Sequence, residues 1–305
     1  MNPKIALKQR INLLFGVLCL PVGFLLLIPY LLQGIDFLGI SMSPYVRDFV
    51  LRQFLYALLN LLLSLFVLRF LSSPRKIMRF SRPKKDLFLW IGLFLGTSAL
   101  GNIGVSFIPL WLERLGITLP PVFSQYTPQT WGQAVIFFVV TVLIPAFYEE
   151  VMFRAMGAGG LREFHPGAAV FLSALGFAML HINVQQIPFA FLLGLVLGFV
   201  YVKTGNFSYP VLLHFLNNAW AYGITVWNSF GSAEEAAAIQ LGCLILFLLC
   251  GIVSFFLLLR KKAFSLAELP AQLSGKEAMG EAFSSVGLWG FLLLYGMLTV
   301  ASLKG

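Results

Sequence analysis

Little of this sequence is charged. Only 11% of its 305 residues are Asp, Glu, Lys or Arg, whereas a soluble globular protein carries about a quarter, because that much polar surface has to face water. The deficit argues against a cytosolic enzyme, a nucleic-acid-binding module and a disordered chain. Acidic residues are the scarcer sign, 12 against 21 Lys and Arg, so the chain is formally +9. Basic composition alone says little about partners. Here the cations sit between apolar runs, at Arg69, Arg75, Lys76, Arg79, Arg82, Lys84 and Lys85 and again at Arg260, Lys261 and Lys262. The positive-inside rule produces such basic loops at membrane edges, so no nucleic-acid partner is expected. Cysteine is rare too: Cys19, Cys243 and Cys250 all lie inside apolar runs, which gives small buried hydrophobes and no disulfide framework. The ending Leu303, Lys304, Gly305 carries no C-a-a-X lipidation signal.

What is abundant is apolar. Hydrophobic residues make up 59% of the chain and mean hydropathy is +0.89, clumped in runs near the ~20 residues that cross a bilayer. The expected fold is all-α, a polytopic membrane protein of about eight or nine transmembrane helices. The runs fall at 11–32, 49–71, 87–111, 132–153, 167–184, 186–202, 207–228, 238–259 and 283–303. The first follows Lys4, Lys8 and Arg10 as a signal peptide would, but it is too long for an h-region and counts as a span. The basic N-terminus and the loop 72–86 go to the cytoplasm, which puts 112–131 outside and, by parity, Glu234 and Glu235 outside and Arg260 to Lys262 inside. The runs 167–184 and 186–202 are short, and if one is re-entrant the downstream topology inverts. Gly92 with Gly96 and Gly194 with Gly198 have the spacing of close helix packing. No internal repeat supports an inverted-repeat transporter. A bacterial inner membrane is the simplest location, since no soluble domain or organelle-targeting extension is present in the sequence.

Ionisable residues inside spans cost about 2.5 to 3.5 kcal/mol each on insertion scales, so they are functional candidates by default. They gather between 149 and 218. In Glu149-Glu150-Val151-Met152-Phe153-Arg154, Glu150 and Arg154 are about 40° apart on a helix and can pair, while Glu149 points about 100° away from Glu150 and is free to face a cavity. In Phe177-Ala178-Met179-Leu180-His181 an aromatic wall for substrate shares a face with an imidazole. In His214-Phe215-Leu216-Asn217-Asn218, His214 and Asn218 share a face and can aim two donors at one point, as an oxyanion requires. Asn217 points elsewhere, and His165, beside Arg162 and Glu163, is expected to be a solvated loop residue.

Together and in this order, these stretches resemble the three motifs of the CAAX protease and bacteriocin-processing family, intramembrane glutamic proteases of the Ras-converting type. The pattern Glu-Glu-x-x-x-Arg, Phe-x-x-x-His, His-x-x-x-Asn is met by Glu149, Glu150 and Arg154, by Phe177 and His181, and by His214 and Asn218. The resemblance implies a membrane-embedded catalytic cavity in which Glu149 and His181 hold and activate water, His214 and Asn218 stabilise the oxyanion, Glu150 and Arg154 support the motif helix, and no cofactor is needed. Spacing alone allows either glutamate to be the base. Glu149, His181 and His214 also form a ligand set that zinc accepts, so zinc is the alternative cofactor, although no H-E-x-x-H is present.

The expected organisation is N-terminal helices and a basic cytoplasmic loop over 1–131, a protease-like core over 132–228 and C-terminal helices over 229–305. Eukaryotic members of the family cut prenylated CAAX proteins, and bacterial ones are linked to peptide processing and bacteriocin immunity. The expected partners are therefore the lipid bilayer and a membrane-associated peptide or prenylated protein. Non-proteolytic binding or immunity on the same fold is the alternative. With Glu149 near the cytoplasmic end of its run, the cavity is expected to open to the cytoplasm.

Overall fold

A computed structural model describes residues 2–40, 42–71, 77–82, 84–117, 119 and 126–304. Arg75 and Lys76 of the basic loop, and most of 118–125 in the loop expected outside, lie outside the described residues. The described chain is helical throughout. α1 is Pro3–Leu18 and α2 is Leu20–Phe37. α3 covers Tyr45–Leu68, α4 Leu87–Glu113 and α5 Trp131–Leu161. α6 is Pro166–Met179, α7 Gln186–Thr204, α8 Ser208–Phe230 and α9 Ala233–Arg260. α10 is Gly275–Phe283 and α11 Val286–Ala301, bent 62° from each other.

Local sequence sets the ends. Thr130 caps α5 by accepting from Gln133 N at 3.2 Å, and Ser232 and Ser274 form capping boxes with Glu235 and Glu277. His165, expected to be solvated, instead caps α6: its Nδ1 accepts from Ala168 N at 3.1 Å just before Pro166, where a backbone N–H would otherwise be unpaired. α7 stops at Gly205, whose φ of 63° suits glycine.

Every expected apolar run is found in a helix, but the number of spans is smaller than expected. By length and composition, six helical segments among the described residues can cross a membrane, with α1 and α2 counted together as Pro3–Phe37, or seven if the bent pair α10–α11 is one span. α6 has 14 residues, about 21 Å of helix against a core of about 30 Å, and it is buried among its neighbours. α8 is long enough, but its polar residues, His214, Asn217 and Asn218 among them, keep it from passing as a lipid-facing span. Large exposed side chains elsewhere are apolar, Leu246, Leu249 and Phe256 on α9 for instance, as a lipid-facing belt requires.

The two ends of the bundle differ in charge. At one end Lys4 pairs with Glu277 at 3.0 Å, and Arg10 donates to Gly160 O at 3.0 Å. There too, Phe207 N donates to Arg79 O at 2.9 Å, Lys84 N donates to Tyr209 Oη at 2.9 Å, and Lys203 Nζ donates to Ser265 O at 2.7 Å. The N-terminus, the described basic loop and the loops after α5, α7 and α9 therefore share one end. At the other, Tyr45 Oη donates to Gln133 O and Tyr222 Oη to Ala134 O, each at 3.2 Å, and Trp131 stacks on Phe230 with centroids 4.5 Å apart. The positive-inside rule assigns the basic end to the cytoplasm.

The glycine pairs act as expected. A Cβ on Gly96 would lie 2.5 Å from Gly251 Cα of α9, and one on Gly194 would lie 3.1 Å from Ala174 Cα of α6. Gly96→Leu should force α4 from α9 and destabilise the protein by about 1 to 3 kcal/mol. Gly104→Leu, where a Cβ meets nothing within 4 Å, should leave the melting temperature in detergent unchanged.

Candidate active site

The motif residues converge on one cluster. α5 carries both glutamates between two widened, π-helical stretches, Val139–Leu143 and Val151–Ala158. Pro145 helps cause the first, since its ring removes a backbone donor and crowds the carbonyl one turn earlier. The helix continues past the charges to Leu161 rather than ending near 153, because those charges are paired internally. Glu149 therefore lies about 18 Å from the basic end of α5 and about 27 Å from Trp131, deeper than the sequence implied.

Glu150 and Arg154 are both fully buried, with Arg154 Nε 3.1 Å from Glu150 Oε2. That contact is an ion pair without hydrogen-bond alignment. The guanidinium lies over the Phe177 ring, Cζ 4.5 Å from the centroid, so the aromatic face takes part of the role that acceptors would have. The other Glu150 oxygen is used differently: Oε1 is 2.8 Å from His214 Nδ1. A carboxylate accepts, so this contact fixes the proton on Nδ1 and turns Nε2 toward Glu149. His214 Nε2 and Glu149 Oε2 are 3.8 Å apart, too far for a hydrogen bond, yet one water molecule can touch both.

His181 follows α6. Its Nδ1 is 2.9 Å from Phe177 O, and since a carbonyl only accepts, Nδ1 carries the proton and Nε2 keeps its lone pair. The next residue, Ile182, has φ of 50°, a costly conformation for a β-branched side chain. Ser302 Oγ shares its one proton between Thr299 O at 2.8 Å and Ile182 O at 3.1 Å, which ties the end of α11 to that turn. Phe177, expected at the substrate wall, is 4% exposed and lies edge-on to both imidazoles, 5.0 Å from His181 and 5.6 Å from His214 between ring centroids. It is absent from the cavity lining.

Glu149, His181, His214 and Asn218 all line one cavity of about 450 Å³. Asn217 lines it as well, contrary to the expectation that it points elsewhere. Ser98 of α4 donates to Asn217 Oδ1 at 2.8 Å, and Asn217 Nδ2 donates to Asn218 Oδ1 at 3.3 Å. This relay leaves the Asn218 NH2 group free to donate elsewhere. Sequence reading missed Ser98 because nothing in its own helix marks it. The cavity also runs against expectation. Its walls continue from Glu149 through Ile144 and Val140 to Phe137, and from His214 through Ala221 to Thr225, toward the end where Tyr45, Ala134 and Tyr222 meet and away from the basic loops. Among the described residues, no group of three or more His, Cys, Asp or Glu side chains has metal-holding geometry.

A bundle of apolar helices that encloses a cavity lined by one carboxylate, Glu149, and two imidazoles, with Glu150 buried behind them, defines a polytopic membrane protein with a polar site inside the bundle. Residues 131–220 match the family model described as Type II CAAX prenyl endopeptidase Rce1-like. A relative, the membrane-embedded CAAX protease MroQ of Staphylococcus aureus (strain USA300), is 25% identical over 212 residues, covering 64% of this chain and 80% of the relative. No solved structure matches. The matched stretch 131–220 carries all three motifs, Glu149 to Arg154, Phe177 to His181 and His214 to Asn218, so over that stretch the chain is similar to the Rce1-like CAAX endopeptidases.

The ion pair generates a stability prediction. Removing one partner of a buried pair leaves an uncompensated charge and costs about 3 to 5 kcal/mol. Arg154→Met should therefore lower the melting temperature in detergent strongly, and Arg154→Met combined with Glu150→Gln should recover part of the loss, because Gln keeps an acceptor for His214 without the charge. A double variant no more stable than the single one would contradict the pairing.

Proposed function

We propose that the protein is an intramembrane peptidase in which Glu149 is the general base. The observation that carries this reading is the shared cavity lining of Glu149, His181, His214 and Asn218. Water held between the Glu149 carboxylate and His181 Nε2 gives a proton to Glu149 and adds to the peptide carbonyl carbon. The resulting oxyanion is stabilised by His214 and the Asn218 amide. As the C–N bond breaks, Glu149 returns the proton to the leaving amine.

The two glutamates divide the work by environment. Glu150 is committed on both oxygens, to Arg154 and His214, which suits a positioning role; Glu149 is 15% exposed in its side chain and faces the cavity, which suits a base that must meet water. No cofactor enters this scheme, and the alternative of zinc on Glu149, His181 and His214 would need those side chains to move, since among the described residues they do not stand at metal-holding geometry. The substrate is a peptide bond of a membrane-associated or lipidated chain, and the catalytic core is proposed to span 132–228.

Cleavage of a fluorogenic peptide library, prenylated CAAX sequences included, by the purified protein in lipid nanodiscs tests this reading. Glu149→Gln and His181→Ala should each lower the rate about 10²- to 10⁴-fold, with no loss on exhaustive chelation. Loss that zinc restores would replace the scheme with the metal one. No cleavage by folded wild type would favour non-proteolytic binding or immunity. Ser98→Ala should lower kcat by roughly fivefold with KM unchanged, the effect of losing one neutral hydrogen bond of about 1 kcal/mol.

A further inference from the structure

The access route to the cluster is set by which side of it the cavity occupies. On α8 the lining positions step from His214 through Asn218 and Ala221 to Thr225, one helical stripe about 16 Å long. On α5 they step from Glu149 back to Phe137, and on α3 from Ala57 back to Phe49. All three stripes lead from the cluster toward the end where Tyr45 meets Gln133 and Tyr222 meets Ala134, where Phe49 stacks on Tyr126 and Phe137, and Gln186, Phe189 and Ala190 of α7 form the remaining wall. Among the described residues, no lining residue lies on the basic-loop side of the cluster: α5 contributes none after Glu149 and α8 none before His214. On that side the space is filled by buried Val151, Met152, Phe153 and Leu213.

The groove also has a chemical character. Among the described residues, beyond Glu149, His181 and His214 its lining holds no Asp, Glu, Lys, Arg or His, and its polar groups are uncharged, with Gln53, Thr141 and Gln186 among apolar and aromatic neighbours. A stripe of about 16 Å accommodates roughly five residues of extended chain at about 3.3 Å each. Amide and hydroxyl side chains along it can pair with the exposed backbone groups of such a segment, while a charged side chain would find no partner there.

We propose that substrate enters from the face opposite the basic loops, the non-cytoplasmic face by the positive-inside rule, as an extended, uncharged peptide segment of a chain displayed on or released at that side. The proposal rests on the peptidase reading for its substrate class, but its geometry does not. A prenylated protein tail presented by the cytosol would have to reach the cluster through the packed end of the bundle.

Thiol accessibility in cells tests the route without requiring turnover. In a background where Cys19, Cys243 and Cys250 are replaced by Ala, Thr225→Cys and Gln53→Cys report on the groove and Lys85→Cys on the basic loop. A membrane-impermeant maleimide added to intact spheroplasts should label Thr225→Cys and Gln53→Cys, and label Lys85→Cys only after permeabilisation. In inside-out vesicles the pattern should reverse, with groove labelling lost. Groove cysteines labelled from the cytoplasmic side, or from neither side, would overturn the proposal. Failure of the peptidase reading shows separately, as wild type that labels in this pattern yet cleaves no peptide.

Discussion

A buried ion pair organises this protein. Glu150 and Arg154 sit fully buried on one helix, where an unpaired charge would be prohibitively costly. Each neighbouring feature answers to that pair. Phe177 lies under the guanidinium, and His214 takes the second oxygen of Glu150. Because Glu150 is used up in this way, the adjacent Glu149 is the carboxylate left for the cavity, and because His214 is anchored through Nδ1, its Nε2 is the nitrogen turned toward Glu149. One pair therefore fixes the orientation of two candidate reacting groups on different helices.

Supporting contacts come from outside the matched segment 131–220. Ser98 on α4 steers the Asn217 and Asn218 amides, and Ser302 after α11 holds the strained turn beside His181. Glycine contacts then allow α4 to lie directly against α9 and α6 against α7, with helix backbones close enough that a Cβ would collide. The helices flanking the family segment are thus structural parts of the site as well as membrane anchors.

Much of this was legible in sequence. The charge deficit announces a membrane protein, and the helical spacing of Glu150 with Arg154 anticipates their pairing. What was not legible depends on contacts between distant segments. The Glu150–His214 bond joins residues 64 positions apart and the Ser98–Asn217 bond joins residues 119 apart, and no periodicity encodes either. Asn217 misled because an angular argument about one helix assumes a narrow cavity, whereas this one is wide enough to meet positions 217 and 218 together. Fewer described helices pass a length-and-composition test than there are apolar runs, because such runs do not distinguish a helix that crosses lipid from one, such as α6, sheltered by its neighbours. The direction of the cavity was misjudged from helix ends: α5 runs on to Leu161, and the packing beneath Glu149 closes the route that proximity to the cytoplasm implied.

In the proposed reaction Glu149 activates water rather than attacking the peptide itself. Single-turnover hydrolysis in heavy-oxygen water, with enzyme in excess over a cleaved peptide, distinguishes the two most directly. Water activation by Glu149 should place one heavy oxygen in the newly formed carboxylate on the first turnover and none in Glu149. A first-turnover product free of heavy oxygen, with the label appearing in the Glu149 side chain, would contradict it.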